Sequence, residues 1–320
     1  MFKCKNLCKS LNDFRLENIN IELEGGEILG VIGVNGCGKT TLLRSIMGSY
    51  RLYEEDGGKL KLCGFDIKEK PAEYKNKLGF VMQDLPFSKN MTPEAAGELY
   101  GRYYKSFDGK KYHELLEKYE VPAGKEGFMK KTNRLKQKNA KYPEYREEFK
   151  SSGEFGKLSK GQQLRAQLAF ALSHEVSLYV FDEPTGNLDV DFRDEFYKTM
   201  RDMVSDEKHG VIIASHIVEE LEGFADKILW MYREENVGKV RFFGTIDELR
   251  DRYRVVEASS DKLIEIPERA IAGKRVSEHS KKILVDTKEY RLSDEIAEYS
   301  RMADLREIMF FIEKESRRDA

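Results

Sequence analysis

Polar and apolar positions alternate from Leu16 to Leu23, the period of a half-buried strand, and Gly25-Gly26 then turns the chain into the apolar run Glu27 to Ile32. That run reads as a buried strand. A glycine-rich loop follows at once, and Thr40 to Met47 continues as a helix ended by Gly48. Ser177 to Phe181, ending on two acids, and Gly210 to Ala214 read as two more buried strands. Strands separated by helical stretches imply a parallel sheet with crossover helices. Between Pro86 and Ser173 the strand pattern gives way to helices: Thr92-Pro93-Glu94 marks a helix start, Lys110 to Glu120 is amphipathic, and Leu164, Leu168 and Leu172 share one face. From about Ile246 short strand-like runs return, at Arg254-Val255-Val256 and Ile283-Leu284-Val285, before an amphipathic helix from Ala303 to about Glu315. No internal repeat is evident.

Composition adds bounds. The 320 residues carry 55 Lys+Arg against 57 Asp+Glu, a formal net charge of −2, which gives no electrostatic case for nucleic acid. The first residues lack the apolar run of a secretory signal, and no window reaches the roughly 18 apolar residues that span a bilayer. The expectation is a soluble, intracellular protein whose membrane role needs a partner. Cys4, Cys8, Cys37 and Cys63 have no histidine nearby, so reduced structural thiols are expected rather than a zinc site. Met129 to Lys141 carries six basic residues and no acid, followed by Tyr142, Tyr145 and Phe149. It reads as a solvated excursion or a binding patch.

Gly33-Val34-Asn35-Gly36-Cys37-Gly38-Lys39-Thr40 fits G-x-x-x-x-G-K-[ST], between a buried strand and a helix. Glycines let backbone N–H groups close around phosphate oxygens, Lys39 reaches the β and γ phosphates, and Thr40 places a hydroxyl on Mg²⁺. The helix that follows points its positive end at the same anion. Asp182-Glu183, at the end of a buried strand, supplies carboxylates that hold a metal and polarise a water.

With these residues in view, the chain resembles the ATP-binding cassette of ABC transporters over about residues 1–245. Leu158-Ser159-Lys160-Gly161-Gln162 matches the family signature LSGGQ except at Lys160. Phe181-Asp182-Glu183-Pro184-Thr185 matches the second nucleotide motif, and Gly186-Asn187-Leu188-Asp189 the loop after it. Gln83 corresponds to the glutamine loop and His216 to the switch histidine. The resemblance implies an α/β P-loop NTPase cassette with a mostly parallel sheet, a helical subdomain inserted at about 86–173, and a small C-terminal α+β appendage at 246–320. It implies ATP bound by Asn35, Gly36, Cys37, Gly38, Lys39, Thr40 and Thr41, and Mg²⁺ held by Thr40, Gln83 and Asp182. Glu183, His216 and Gln83 would be the catalytic groups. Two cassettes would pair head to tail, so that Ser159, Gly161, Gln162 and Asp189 of one complete the site of the other.

Three features depart from the family pattern. The usual adenine-stacking aromatic aligns with Leu11, and Phe14 is the nearest ring, either swung over the base or packed in the core. Lys160 replaces a glycine, as in members resembling drug and peptide antibiotic exporters. The segment from about Lys125 to Phe155 is longer than usual. Cys37 is a small filler in the loop or a reactive thiol. The expected function is the ATPase subunit of an ABC transporter, more like the exporter branch, driving a separate transmembrane permease from the cytoplasmic face of the membrane. The second cassette would be another copy or a paralogue. The competing class is a soluble non-transport ABC ATPase such as a cluster-assembly subunit. The appendage would serve regulation, dimer support or permease docking.

Overall fold

The computed structural model describes residues 1–52, 56–122, 153–186, 188–258, 266–276 and 281–316. The basic stretch at 129–141, the aromatic residues Tyr142, Tyr145 and Phe149, and Asn187 lie outside them. Two compact units result: one of 1–216 and 230–241, the other of 217–229 and 242–320.

In the first unit, β1 (Phe2–Leu11) and β2 (Phe14–Leu23) form an antiparallel hairpin around Asn12-Asp13. Then come β3 (Ile28–Ile32), α1 (Lys39–Ile46), β4 (Lys59–Leu62), β5 (Phe65–Asp66), α2 (Pro71–Lys75) and β6 (Leu78–Val81). The helical stretch holds α3 (Pro93–Tyr100), α4 (Gly109–Lys118) and α5 (Lys160–Ala171). After it run β7 (Leu178–Asp182), α6 (Val190–Val204), β8 (Gly210–Ala214), β9 (Lys227–Glu234) and β10 (Val237–Thr245); α7 (Val218–Glu222), between β8 and β9 in the chain, falls in the second unit. No strand lies among the described residues between Pro86 and Ser173, as the pattern implied.

The large sheet has the order β5-β4-β1-β2-β10-β9-β3-β8-β7-β6. Its β1-side pairings with β2 and β4 are antiparallel, whereas β3, β8, β7 and β6 run parallel. Every residue of β3, β7 and β8 is buried, which explains their unbroken apolar runs. Parallel strands end at the same edge. The phosphate loop after β3, Met82-Gln83 after β6, Asp182-Glu183 at the end of β7 and Ser215-His216 after β8 therefore leave the sheet together.

The helices start where the sequence provides caps. The Thr92 hydroxyl accepts the Ala95 N–H at 3.2 Å. The Asp108 carboxylate takes two amides at the start of α4. Ser159 and Gln162 form a reciprocal capping box at the start of α5.

The second unit continues with α8 (Ile246–Arg252), β11 (Tyr253–Ala258), β12 (Ile271–Val276), β13 (Lys281–Asp286), α9 (Asp294–Ala297), β14 (Ser300–Met302) and α10 (Leu305–Ser316). Its antiparallel sheet has the order β12-β13-β11-β14. Val256, Ile266, Ile283, Val285 and Ile296 pack beneath it. This unit also claims α7 and residues 242–245, which the sequence reading placed with the cassette. The reason is local: Glu222 at the end of α7 accepts the Leu305 N–H of α10 at 3.0 Å and two bonds from Arg250 of α8. Arg306 pairs with Glu219 at 2.8 Å.

The four cysteines are free, and the Cys4 thiol is pushed up to about 12 by burial, in keeping with an inert structural thiol. Among the described residues no helix is long and apolar enough to cross a membrane, and no cluster of His, Cys, Asp or Glu forms a metal site by itself.

Candidate functional site

A cleft of about 800 Å³ opens at that shared strand edge, and the phosphate loop forms much of its wall. Gly33 and Gly38 make the loop possible. Both have positive φ, +146° and +105°, and a Cβ at Gly33 would stand 2.3 Å from the Met231 carbonyl oxygen. At Gly38 it would meet Phe14 Cζ at 2.7 Å. Only glycine fits either position. Lys39, 8 % exposed, opens α1 and donates from Nζ to the Gly33 carbonyl at 2.8 Å. An ammonium has three donors, so two remain for a ligand in the loop. Cys37 is fully buried, and its N–H bonds to the Val34 carbonyl at 3.2 Å. Burial favours the filler reading over a reactive thiol.

Next to Lys39, the Thr40 hydroxyl donates to Asp182 Oδ1 at 3.3 Å. Asp182 is 2 % exposed. Burial pushes its carboxyl above the usual range and neighbouring Glu183 adds to this, while the Thr40 hydrogen bond and the charges of Arg44 and Lys39 pull the other way. With the Gln83 amide on the same cleft, these oxygen donors suit a hard cation whose other ligands come from phosphate and water.

Glu183 has φ +52°, a left-handed conformation that costs a non-glycine residue energy. Its carboxylate lies at the end of β8, where Oε2 accepts the His216 N–H at 3.2 Å and lies 2.5 Å from His216 Nδ1. Both contacts use Oε2, which leaves Oε1 without a protein donor among the described residues. The His216 side chain remains 59 % exposed. Gly186 completes this wall, beside the His216 ring.

The structure thus brings Asn35, Gly36, Gly38, Lys39, Thr40, Thr41, Phe14, Gln83, Glu183 and His216 to one cleft. Ser159, Gly161, Gln162 and Asp189 are not part of its lining. Ser159 and Gln162 cap α5. Asp189 caps α6 by accepting the Phe192 N–H at 2.9 Å, a bond that holds its carboxyl below the usual range, and it also pairs with Arg165 of α5.

Sequence reasoning missed three residues. Gln167 of α5, 3 % exposed, accepts the Met82 N–H at 2.9 Å and donates to the Met82 carbonyl at 3.2 Å. Arg44 of α1 reaches Asp84 at 2.7 Å, so the residues on both sides of Gln83 are tied to helices. Arg233, from β9, joins the cleft wall. No local motif marks any of them.

A second concavity, of about 440 Å³, lies where α2, β6 and α5 meet the segment after Gln83. Its walls are aromatic. Phe87 stacks on Phe155 at 5.0 Å, Tyr104 lies 4.2 Å from the His174 ring, and Phe170 sets its edge against Phe87. Tyr103, on the rim, is 73 % exposed.

Comparison with known proteins agrees with this arrangement. A family model described as ABC transporter matches residues 16–186. The chain is 27 % identical over 251 residues to the ABC transporter ATP-binding protein NatA of Bacillus subtilis, covering 78 % of this chain and 87 % of NatA. It is 30 % identical to the sulfate/thiosulfate import ATP-binding protein CysA of Pseudomonas putida, covering 78 % and 68 %. Among solved structures, a dimeric ATP-binding cassette in a post-hydrolysis state with ADP and Pi has a TM-score of 0.58 at 21 % identity, covering 77 % of this chain and 98 % of that one.

Proposed function

The chain belongs to the ABC transporter family, and on that premise we propose that it is the ATP-hydrolysing subunit that drives a separate membrane-embedded permease. The observation that carries the reading is the convergence, at one sheet edge, of a phosphate loop, a buried carboxylate beside Thr40, and a carboxylate–histidine pair.

Lys39 and the loop amides would hold the β and γ phosphates. Thr40, Asp182 and Gln83 would hold Mg²⁺, whose chemistry is to neutralise charge on the phosphate oxygens. Water attacks the γ phosphorus, the bond to the ADP oxygen breaks, and Glu183 takes the water's proton at Oε1, the oxygen that His216 does not use. His216, linked to Oε2, fixes that carboxylate and meets the γ-phosphate. Positioning and electrostatics supply most of the rate.

Ser159 and Gly161 face no nucleotide in their own chain's cleft. Their place at the N-terminus of α5, whose positive dipole end favours an anion, supports completion of the site by a second cassette. The aromatic concavity supports docking of a permease helix, since it combines apolar walls with the exposed Tyr103 beside the segment that follows Gln83. ATP would close the cassette pair and hydrolysis reopen it, a two-state element that moves the permease. The finer reading is export, supported by Lys160 in the signature.

Two measurements test this. Purification of the tagged chain from detergent-solubilised membranes should bring a permease with it; an eluate with no membrane protein would favour the soluble class of ABC ATPase. Transport into inverted vesicles against right-side-out vesicles then gives the direction.

A further inference from the structure

The contacts along the nucleotide cleft fall into two groups. Lys39, Thr40, Glu183 and His216, with the buried Asp182 bonded to Thr40, form the phosphate and metal end. The remaining wall, with Leu11, Phe14, Gly36 and Arg233, is left for the nucleoside. Leu11 has no π face. Phe14 is committed: its ring packs over Gly38, so close that a Cβ there would lie 2.7 Å from Cζ.

Arg233 is differently placed. Its Nε donates to the Glu235 carbonyl at 2.6 Å and its Nη2 to Asn236 Oδ1 at 2.6 Å, so the β9–β10 hairpin itself fixes the guanidinium plane. Nη1 is not used by either bond, and it stands 3.3 Å from where a Cβ on Gly36 would be. The guanidinium carbon lies 5.9 Å from the Phe14 ring centroid. Among the described residues Arg233 has no carboxylate partner. An oriented, planar, unneutralised cation on the wall of an anion-binding cleft is prepared for a ligand.

We propose that Arg233 is the nucleobase-holding residue of this site, its guanidinium beside Phe14 supplying the platform that an aromatic side chain at Leu11 would otherwise provide. This rests on reading the cleft as a nucleoside triphosphate site. Guanidinium planes stack on bases of any sequence, and their N–H groups donate to purine N7 and to guanine O6. Arginine offers no acceptor for the adenine amino group. The platform therefore does not select adenine, and GTP binds at least as well as ATP.

The test is equilibrium binding of ATP, GTP and inorganic tripolyphosphate to the full chain and its variants. Arg233→Ala should weaken ATP and GTP about five- to tenfold while tripolyphosphate stays within about twofold. Arg233→Lys, which keeps charge but not the plane, should recover only part of the loss. Equal weakening of ATP and tripolyphosphate would make Arg233 a phosphate clamp and overturn the proposal. So would unchanged ATP binding in Arg233→Ala, full recovery by lysine, or a strong preference for ATP over GTP in the parent chain. Lys39→Ala, which should lose all three ligands, separates a failure of the cleft assignment from a failure of Arg233.

Discussion

Gln167 holds both main-chain groups of Met82, accepting its N–H and donating to its carbonyl, although the two residues lie 85 positions apart. Met82 precedes Gln83 on the cleft, and Gln167 sits in α5, whose first turn is the signature. A single buried amide thus links the residue expected to sense nucleotide with the helix expected to cover the neighbour's phosphate.

Removing that amide should cost more than packing. Gln167→Leu keeps the volume but leaves the Met82 N–H and carbonyl buried without partners, at about 1–3 kcal/mol for an unsatisfied group. Urea unfolding should show a loss in that range, and the folded variant should turn over ATP more slowly at saturating nucleotide. Unchanged stability and turnover would show that Met82 finds other partners.

Glu183→Gln should keep ATP binding and stop hydrolysis, because an amide keeps the shape but cannot take up the proton at Oε1. A fall of about a hundredfold or more in turnover is expected, as for other lost catalytic groups. With hydrolysis blocked, ATP should hold two chains together on size-exclusion chromatography. A monomer with normal turnover would remove Glu183 from the mechanism.

The phosphate loop, Asp182-Glu183 and His216 were legible in the sequence because each is a local motif at the end of an apolar strand, and parallel strands bring such ends together. The alternation at Leu16 to Leu23 likewise announced β2. Gln167, Arg44 and Arg233 were not legible, since each acts through a contact across the fold that leaves no period or spacing behind. The same holds for α7, a charged five-residue helix whose partners, Arg250, Leu305 and Arg306, lie far along the chain. Leu11 and Phe14 were visible as residues, but the packing of Phe14 over Gly38 depends on how β2 passes the phosphate loop.

Truncation after Thr245 should leave ATP binding, because every residue of the cleft lies upstream. It also strips α7 of Arg250, Leu305 and Arg306, and exposes Val218 and Leu221, both buried in the full chain. Exposing each such side chain costs about 1.5–3 kcal/mol, so the shortened protein should melt earlier and aggregate more readily. A soluble, folded truncation that fails to bind ATP would show that residues beyond 245 support the cleft.

Asp182 should make the ligand-free protein less stable as pH rises. Burial raises its folded pKa, so the native state holds the proton more tightly than the unfolded chain does. Below about pH 4 the carboxyl is protonated in both states and nothing is lost. As pH climbs through the folded value, ionisation in the buried site costs stability. Asp182→Asn removes the charge and keeps the shape, so without ligand it should melt close to the parent near pH 4 and above it at pH 7.5. Adding ATP with Mg²⁺ should reverse the order, because only the carboxylate gains a cation. A variant that melts below the parent at pH 7.5 without ligand would mean that the Thr40 hydrogen bond and the charges of Arg44 and Lys39 outweigh burial, and that Asp182 is a stabilising group in its own right.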